Sequence, residues 1–77
     1  MTITVRFFAS LRESMDCREV EVDAARAGTA GDAWRVATGG RPIPDHVLVA
    51  VNLEYTHLEA PVHAGDEVAF FPPVTGG

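Results

Sequence analysis

Glu67-Val68-Ala69-Phe70-Phe71 runs directly into Pro72-Pro73-Val74-Thr75-Gly76-Gly77. In the first five residues Val68 and Phe70 face one way and Ala69 and Phe71 the other, the period of a β-strand. The two prolines lack the backbone N–H that a neighbouring strand needs, so they cannot continue a ladder. The sequence therefore predicts a folded domain over residues 1–71 and a flexible Gly-Gly tail over 72–77. At about 7% glycine usage, two terminal glycines would occur by chance in roughly one chain in two hundred.

Outward from that strand, the same period recurs at the start of the chain. From Thr2 to Phe8, Ile3, Val5 and Phe7 share one face, and Thr4, Arg6 and Phe8 the other. Phe8 is then an apolar residue on a polar face, either packed under the following loop or part of a docking surface. Ala9 to Cys17 has no clean period and reads as a short helical or loop segment. Arg18 to Asp23 alternates again and reads as a hairpin partner of the first strand, with a solvated acidic outer face. Thr29-Ala30-Gly31-Asp32 fits a helix-capping pattern, with the Thr29 hydroxyl accepting from the Asp32 N–H. Ala30, Ala33, Trp34 and Ala37 follow at helical spacing until Gly39-Gly40 and Pro42 stop the helix. Trp34, its one large apolar residue, is the expected core plug.

The run Val47-Leu48-Val49-Ala50-Val51 reads as a strand buried on both sides or central in its sheet. Tyr55 to Leu58 reads as an edge strand interrupted by Pro61, and Ala64-Gly65-Asp66 as a turn. The fold class is thus α+β, a mixed sheet of about five strands over one main helix. If Ile3, Val5, Phe7, Val20, Val22, Val68 and Phe70 face Trp34, then Phe8 and Phe71 meet on the opposite face, beside the tail. Two exposed aromatics there would mark a partner site.

Seventy-seven residues allow one small core, burying a little over ~60% of the unfolded surface, with no room for a deep catalytic pocket. A net charge of -5 and the lack of a basic run argue against nucleic acid and anionic membrane as partners. No apolar run approaches the ~20 residues of a membrane span. The start of the chain lacks the pattern of a signal peptide, and the lone Cys17 permits no internal disulfide, so the expected location is cytoplasmic. His46, His57 and His63 lack metal-ligand spacing, and no metal site is expected. All six basic residues are arginine, so the chain offers no lysine for an isopeptide bond.

One reactive group on a tail without bulk is the design of a carrier. A terminal carboxylate, with a pKa near ~3.5, is an anion and a poor electrophile at neutral pH. It needs activation, as an acyl adenylate formed from ATP, before a sulfur or amine nucleophile can displace AMP. Glycines without Cβ can thread a narrow channel. Six tail residues reach at most about 20 Å, and Pro72-Pro73 would stiffen the stem as well as end the strand.

The stretch Gly65-Asp66-Glu67-Val68-Ala69-Phe70-Phe71-Pro72-Pro73-Val74-Thr75-Gly76-Gly77 resembles the C-terminus of the sulfur-carrying small subunits of molybdopterin synthase. Phe7-Phe8-Ala9 with Arg12-Glu13, and Val49-Ala50-Val51-Asn52, resemble that family as well. The resemblance implies a ubiquitin-like β-grasp fold and a carrier without catalytic activity of its own. It also implies that Gly77 is adenylated by an ATP-dependent activating enzyme and converted to a thiocarboxylate. The tail would then enter the large catalytic subunit and donate sulfur to cyclic pyranopterin monophosphate, with two carriers at the ends of a dimer of large subunits. By position, Gly77 is the covalent site, Pro73, Val74, Thr75 and Gly76 line the channel, and Phe8, Phe71, Tyr55 and Leu58 dock the partner. The resemblance implies no stably bound cofactor, ATP belonging to the activating enzyme, and gives Cys17 no role. Three alternatives stand beside this reading: a sulfur carrier for thiamine or another thiolated product, a ubiquitin-like modifier of lysines, and an interaction domain whose glycines are incidental.

Overall fold

Alternation in Thr2–Phe7 produces the first strand, β1, in which Ile3, Val5 and Phe7 are buried while Thr4 and Arg6 are half-buried. In the computed structural model, which describes residues 1–72, β1 is followed by α1 (Ser10–Met15) and β2 (Glu19–Asp23). Then come a 3-10 turn (Ala24–Arg26), α2 (Ala30–Thr38), β3 (Leu48–Val51), β4 (Glu54–Thr56) and β5 (Glu67–Phe71).

The sheet order is β2-β1-β5-β3-β4. β1 and β5 run parallel, and every other pairing is antiparallel. A parallel pair needs a crossover, and the chain between β1 and β5 supplies it by laying α2 over one face of the sheet. This is the β-grasp arrangement of five strands and one main helix. The run Val47–Val51 proves to be a strand buried on both sides: Val49 and Ala50, on opposite faces, are both buried, and β3 lies between β4 and β5, with β5 in the middle of the sheet. Ala69, on the outward face of β5, is small enough to be buried along with Val68 and Phe70.

Trp34 fills the core as its spacing predicts. Its ring meets Phe7 edge-on at 5.6 Å and Phe70 at 5.0 Å, and its indole N–H donates to the Arg41 carbonyl at 2.8 Å. The polar atom of an otherwise apolar plug is therefore satisfied. The α2 cap forms as expected, the Asp32 N–H donating to Thr29 Oγ1 at 3.1 Å. Its reciprocal half differs: the Asp32 carboxylate accepts from the Gly28 N–H at 3.3 Å. Gly39, at φ 71°, ends the helix in a left-handed conformation that suits glycine. The unperiodic segment after Phe8 folds as α1, held to the core by buried Leu11 and by the half-buried Met15 at its end.

A candidate docking face at the base of the tail

The outward face of the sheet is built from the residues that alternate away from Trp34. The β1–β5 register pairs Phe7 with Phe70, and the Phe8 N–H extends the ladder to the Phe70 carbonyl at 3.1 Å. The next side chains, Phe8 and Phe71, emerge side by side. Their rings stack at 4.7 Å with 12° between planes, an arrangement worth about 0.5–1.5 kcal/mol beyond area burial. Tyr55, 72% exposed, extends the patch with its ring 5.9 Å from that of Phe71. One step back along the strands, Ala50 lies between Ala69 and Tyr55 in register. Ala50 and Ala69 are both buried, so they form a low floor beside three raised rings.

Arg6 borders this patch. It contacts Glu19 at 3.4 Å and Glu67 at 3.2 Å, and its guanidinium carbon lies 5.5 Å from the Phe8 ring centre. Partly exposed ion pairs of this kind contribute about 0–1 kcal/mol each. Their effect is to hold a cation against the aromatic face and leave the rim acidic.

Two turns adjoin this face, and both hold a side chain where glycine is favoured. Ala9 has φ 52° and ψ -128°, and the Leu11 N–H closes the turn on the Phe8 carbonyl at 3.1 Å. These are the features of a type II′ turn, whose first central position suits glycine. Leu53, between β3 and β4, has φ 72° directly after Asn52 at 51°. A left-handed backbone costs a residue with a Cβ about 1–2 kcal/mol. Neither turn was legible from composition, because neither contains the glycine that usually signals it.

The start of β5 is tied down by a polar cluster. Asp66 accepts from the Asn52 amide at 3.0 Å and from the His63 N–H at 2.8 Å, while Asn52 Oδ1 accepts from the Glu67 N–H at 3.0 Å. Hydrogen bonding to Asn52, then to the His63 backbone, holds the Asp66 carboxyl below its ordinary pKa.

Of the four expected docking residues, the structure brings together Phe8, Phe71 and Tyr55 and leaves Leu58 out. Leu58 packs against the core, and its carbonyl accepts from the Gly31 N–H at 2.9 Å at the start of α2. A Cβ at position 31 would lie 3.3 Å from that oxygen, so the helix and this loop are closely apposed. The reason for the misplacement is that β4 ends at Thr56, and the chain then leaves the sheet toward the helix. The expected channel and covalent residues Pro73, Val74, Thr75, Gly76 and Gly77 lie outside the described residues.

Cys17 borders a recess of about 140 Å³ between α1 and the end of α2, its Sγ 3.4 Å from the Glu19 carbonyl oxygen. Among the described residues no group of three or more His, Cys, Asp and Glu side chains is placed to hold a metal ion. No helix among them is long and apolar enough to cross a membrane.

A model of the ThiS family matches residues 5–77. The molybdopterin synthase sulfur carrier subunit of Haemophilus influenzae is 40% identical, over 97% of this chain and 99% of that protein. Small archaeal modifier protein 1 of Haloferax volcanii is 37% identical over 94% of this chain and 97% of its own length. The crystal structure of that organism's SAMP1 superposes with a TM-score of 0.83 at 34% identity, all of both chains being covered. A chain from the complex of subunits 1 and 2 of molybdopterin-converting factor of Helicobacter pylori shares the fold, with a TM-score of 0.64 at 21% identity over the full length of both. The chain belongs to the ThiS family and is a ubiquitin-like relative of the molybdopterin synthase sulfur carrier subunits.

Proposed function

We propose that this protein is the sulfur-carrier subunit of a molybdopterin synthase. The observation that carries the reading is the Phe8–Phe71 stack on the outer face, at the end of the strand that leads into a family-matched Gly-Gly terminus. An exposed aromatic pair beside the exit of a short reactive tail gives a partner a place to grip while the tail reaches inward.

In this reading the Gly77 carboxylate attacks the α-phosphorus of ATP on an activating enzyme, releasing pyrophosphate and forming an acyl adenylate. A sulfur nucleophile then displaces AMP to leave a thiocarboxylate. The loaded carrier docks on the large catalytic subunit through Phe8, Phe71 and Tyr55. Pro73, Val74, Thr75 and Gly76 line the channel, and the thiocarboxylate gives its sulfur to cyclic pyranopterin monophosphate. Five residues beyond Pro72 can span at most about 17 Å, so the acceptor site must lie within that distance of the docking face. The carrier contributes the sulfur and the docking surface, and the large subunit contributes the catalysis. Two carriers on a dimer of large subunits make a heterotetramer, working in the cytoplasm. The Helicobacter pylori complex of subunits 1 and 2 supports a large-subunit partner.

The test is mass spectrometry of the intact chain after incubation with its activating enzyme, ATP and a sulfur source. The expected result is the replacement of one oxygen by sulfur at Gly77. An unchanged mass with a competent activating enzyme refutes the reading. The likeness to small archaeal modifier protein 1 favours a second reading, a modifier joined through Gly77 to lysines of other proteins. Isopeptide-linked conjugates in cell extract would establish that one.

A further inference from the structure

Leu53 bears two costs at once. It holds a left-handed backbone, and it is 87% exposed. It occupies the second place of a two-residue link whose flanking residues, Val51 and Glu54, pair in register, a geometry that favours Asn-Gly. Asn52 suits its place, since its side chain bonds to both Asp66 and Glu67. Leu53 has no comparable compensation within the domain. Apart from Met1, Leu53 and Tyr55 are the exposed large apolar side chains among the described residues.

Interface area points to where such a side chain would be used. A stable protein interface covers about 800 Å² on each partner, whereas a fully buried aromatic side chain supplies only ~150–250 Å². Phe8, Phe71 and Tyr55 already cover part of one another, so the docking face must extend beyond them. Toward β2 the outward positions are Glu19 and Glu21, which pair in register with Arg6 and Thr4. In the other direction lie Tyr55 and then Leu53. The register pairs Leu48 with Phe71 and Val51 with Val68, so the turn and the tail exit are at opposite ends of β3, roughly 10–15 Å apart by strand rise.

We propose that Leu53 is a second anchor of the docking face, seated in an apolar recess of the subunit that receives the tail. Arg or Lys side chains around that recess would answer Asp66, which lies at the same end of the sheet beside Asn52. The inference rests on the carrier reading above and deepens it. With one anchor beside the tail and another at the far end of the sheet, the partner fixes the direction in which the tail enters. Backbone strain held at an exposed apolar tip is retained for a contact made outside the domain.

The test compares the full chain with Leu53→Gly, Leu53→Met and Phe71→Ala, titrated calorimetrically into the large subunit of molybdopterin synthase from the same organism, with a thermal melt of each. Leu53→Gly relieves the turn and is expected to raise the melting temperature while weakening binding about tenfold, the scale of a hot-spot residue. Leu53→Met keeps apolar reach and is expected to bind within about threefold of the original. If Leu53→Gly melts higher with unchanged affinity, Leu53 is only a strained turn residue and the proposal fails. It also fails if Leu53→Gly melts lower, because the side chain is then needed by the domain itself. A different result overturns the underlying carrier docking: no binding by the original chain, or binding unaffected by Phe71→Ala.

Discussion

Phe70 and Phe71 are chemically identical neighbours with opposite duties. Phe70 is completely buried, edge-on to Trp34, whereas Phe71 is half-buried and stacks on Phe8 across the outer face. Only strand parity separates them, because successive side chains point to opposite faces of a sheet. The same contrast holds across the sheet. Its inner face closes on α2 through Ile3, Val5, Val68 and Phe70, and its outer face presents three aromatic rings beside an acidic rim. The domain thus separates the residues that hold it together from those available to a partner, at single-residue spacing along one strand.

Substitutions that break this contrast should have unequal effects. The largest expected effect is from Phe70→Ala, which leaves a cavity beside Trp34 and should remove about 3–5 kcal/mol of stability in a denaturant titration. Phe71→Ala should cost under about 1.5 kcal/mol of stability, since it loses a partly exposed stack. It should nonetheless weaken large-subunit binding by about 2 kcal/mol, the cost of a hot spot. A collapse of the melting transition in Phe71→Ala would show that the two faces are not separate. Ala9→Gly should stabilise the domain by about 0.5–1 kcal/mol, because glycine accepts the backbone that Ala9 is held in. A lower melting temperature would mean that the turn is not strained.

The smallest expected effect concerns acid. Hydrogen bonds from Asn52 and the His63 N–H lower the pKa of Asp66 in the folded state below 3.8. The stability this contributes is complete above 3.8 and is lost as pH falls from there through the folded-state value. Asp66→Asn should therefore reduce stability at neutral pH and flatten the loss of stability on acidification below that point. Parallel acid titrations of the two proteins, followed by circular dichroism, would check both signs.

Strand parity explains how much was legible in the sequence. Alternation in Thr2–Phe7 and Glu67–Phe71 puts Phe8 and Phe71 on one face once Trp34 is taken as the core, and the adjacency of β1 and β5 in the structure brings their rings into contact. Trp34 was legible for a similar reason, as the one large residue on a short amphipathic helix. The apolar run Val47–Val51 reported the burial that β3 shows on both faces, but not which neighbours provide it. Leu58 was misplaced because the end of a three-residue edge strand leaves no periodic signal. The turns at Ala9 and Leu53 were invisible because their residues contradict local preference. The terminal motif carried the expectations for residues 73–77.

The central place of β5 has a mechanical consequence. The strand that leads into the tail pairs along four residue positions with β1 on one side and four with β3 on the other. A pull on the tail along the strand axis therefore loads two hydrogen-bond ladders in shear, their bonds sharing the force, instead of unzipping an edge bond by bond. A partner could draw the tail deep into a narrow channel, and the domain would transmit that tension without unravelling from its end.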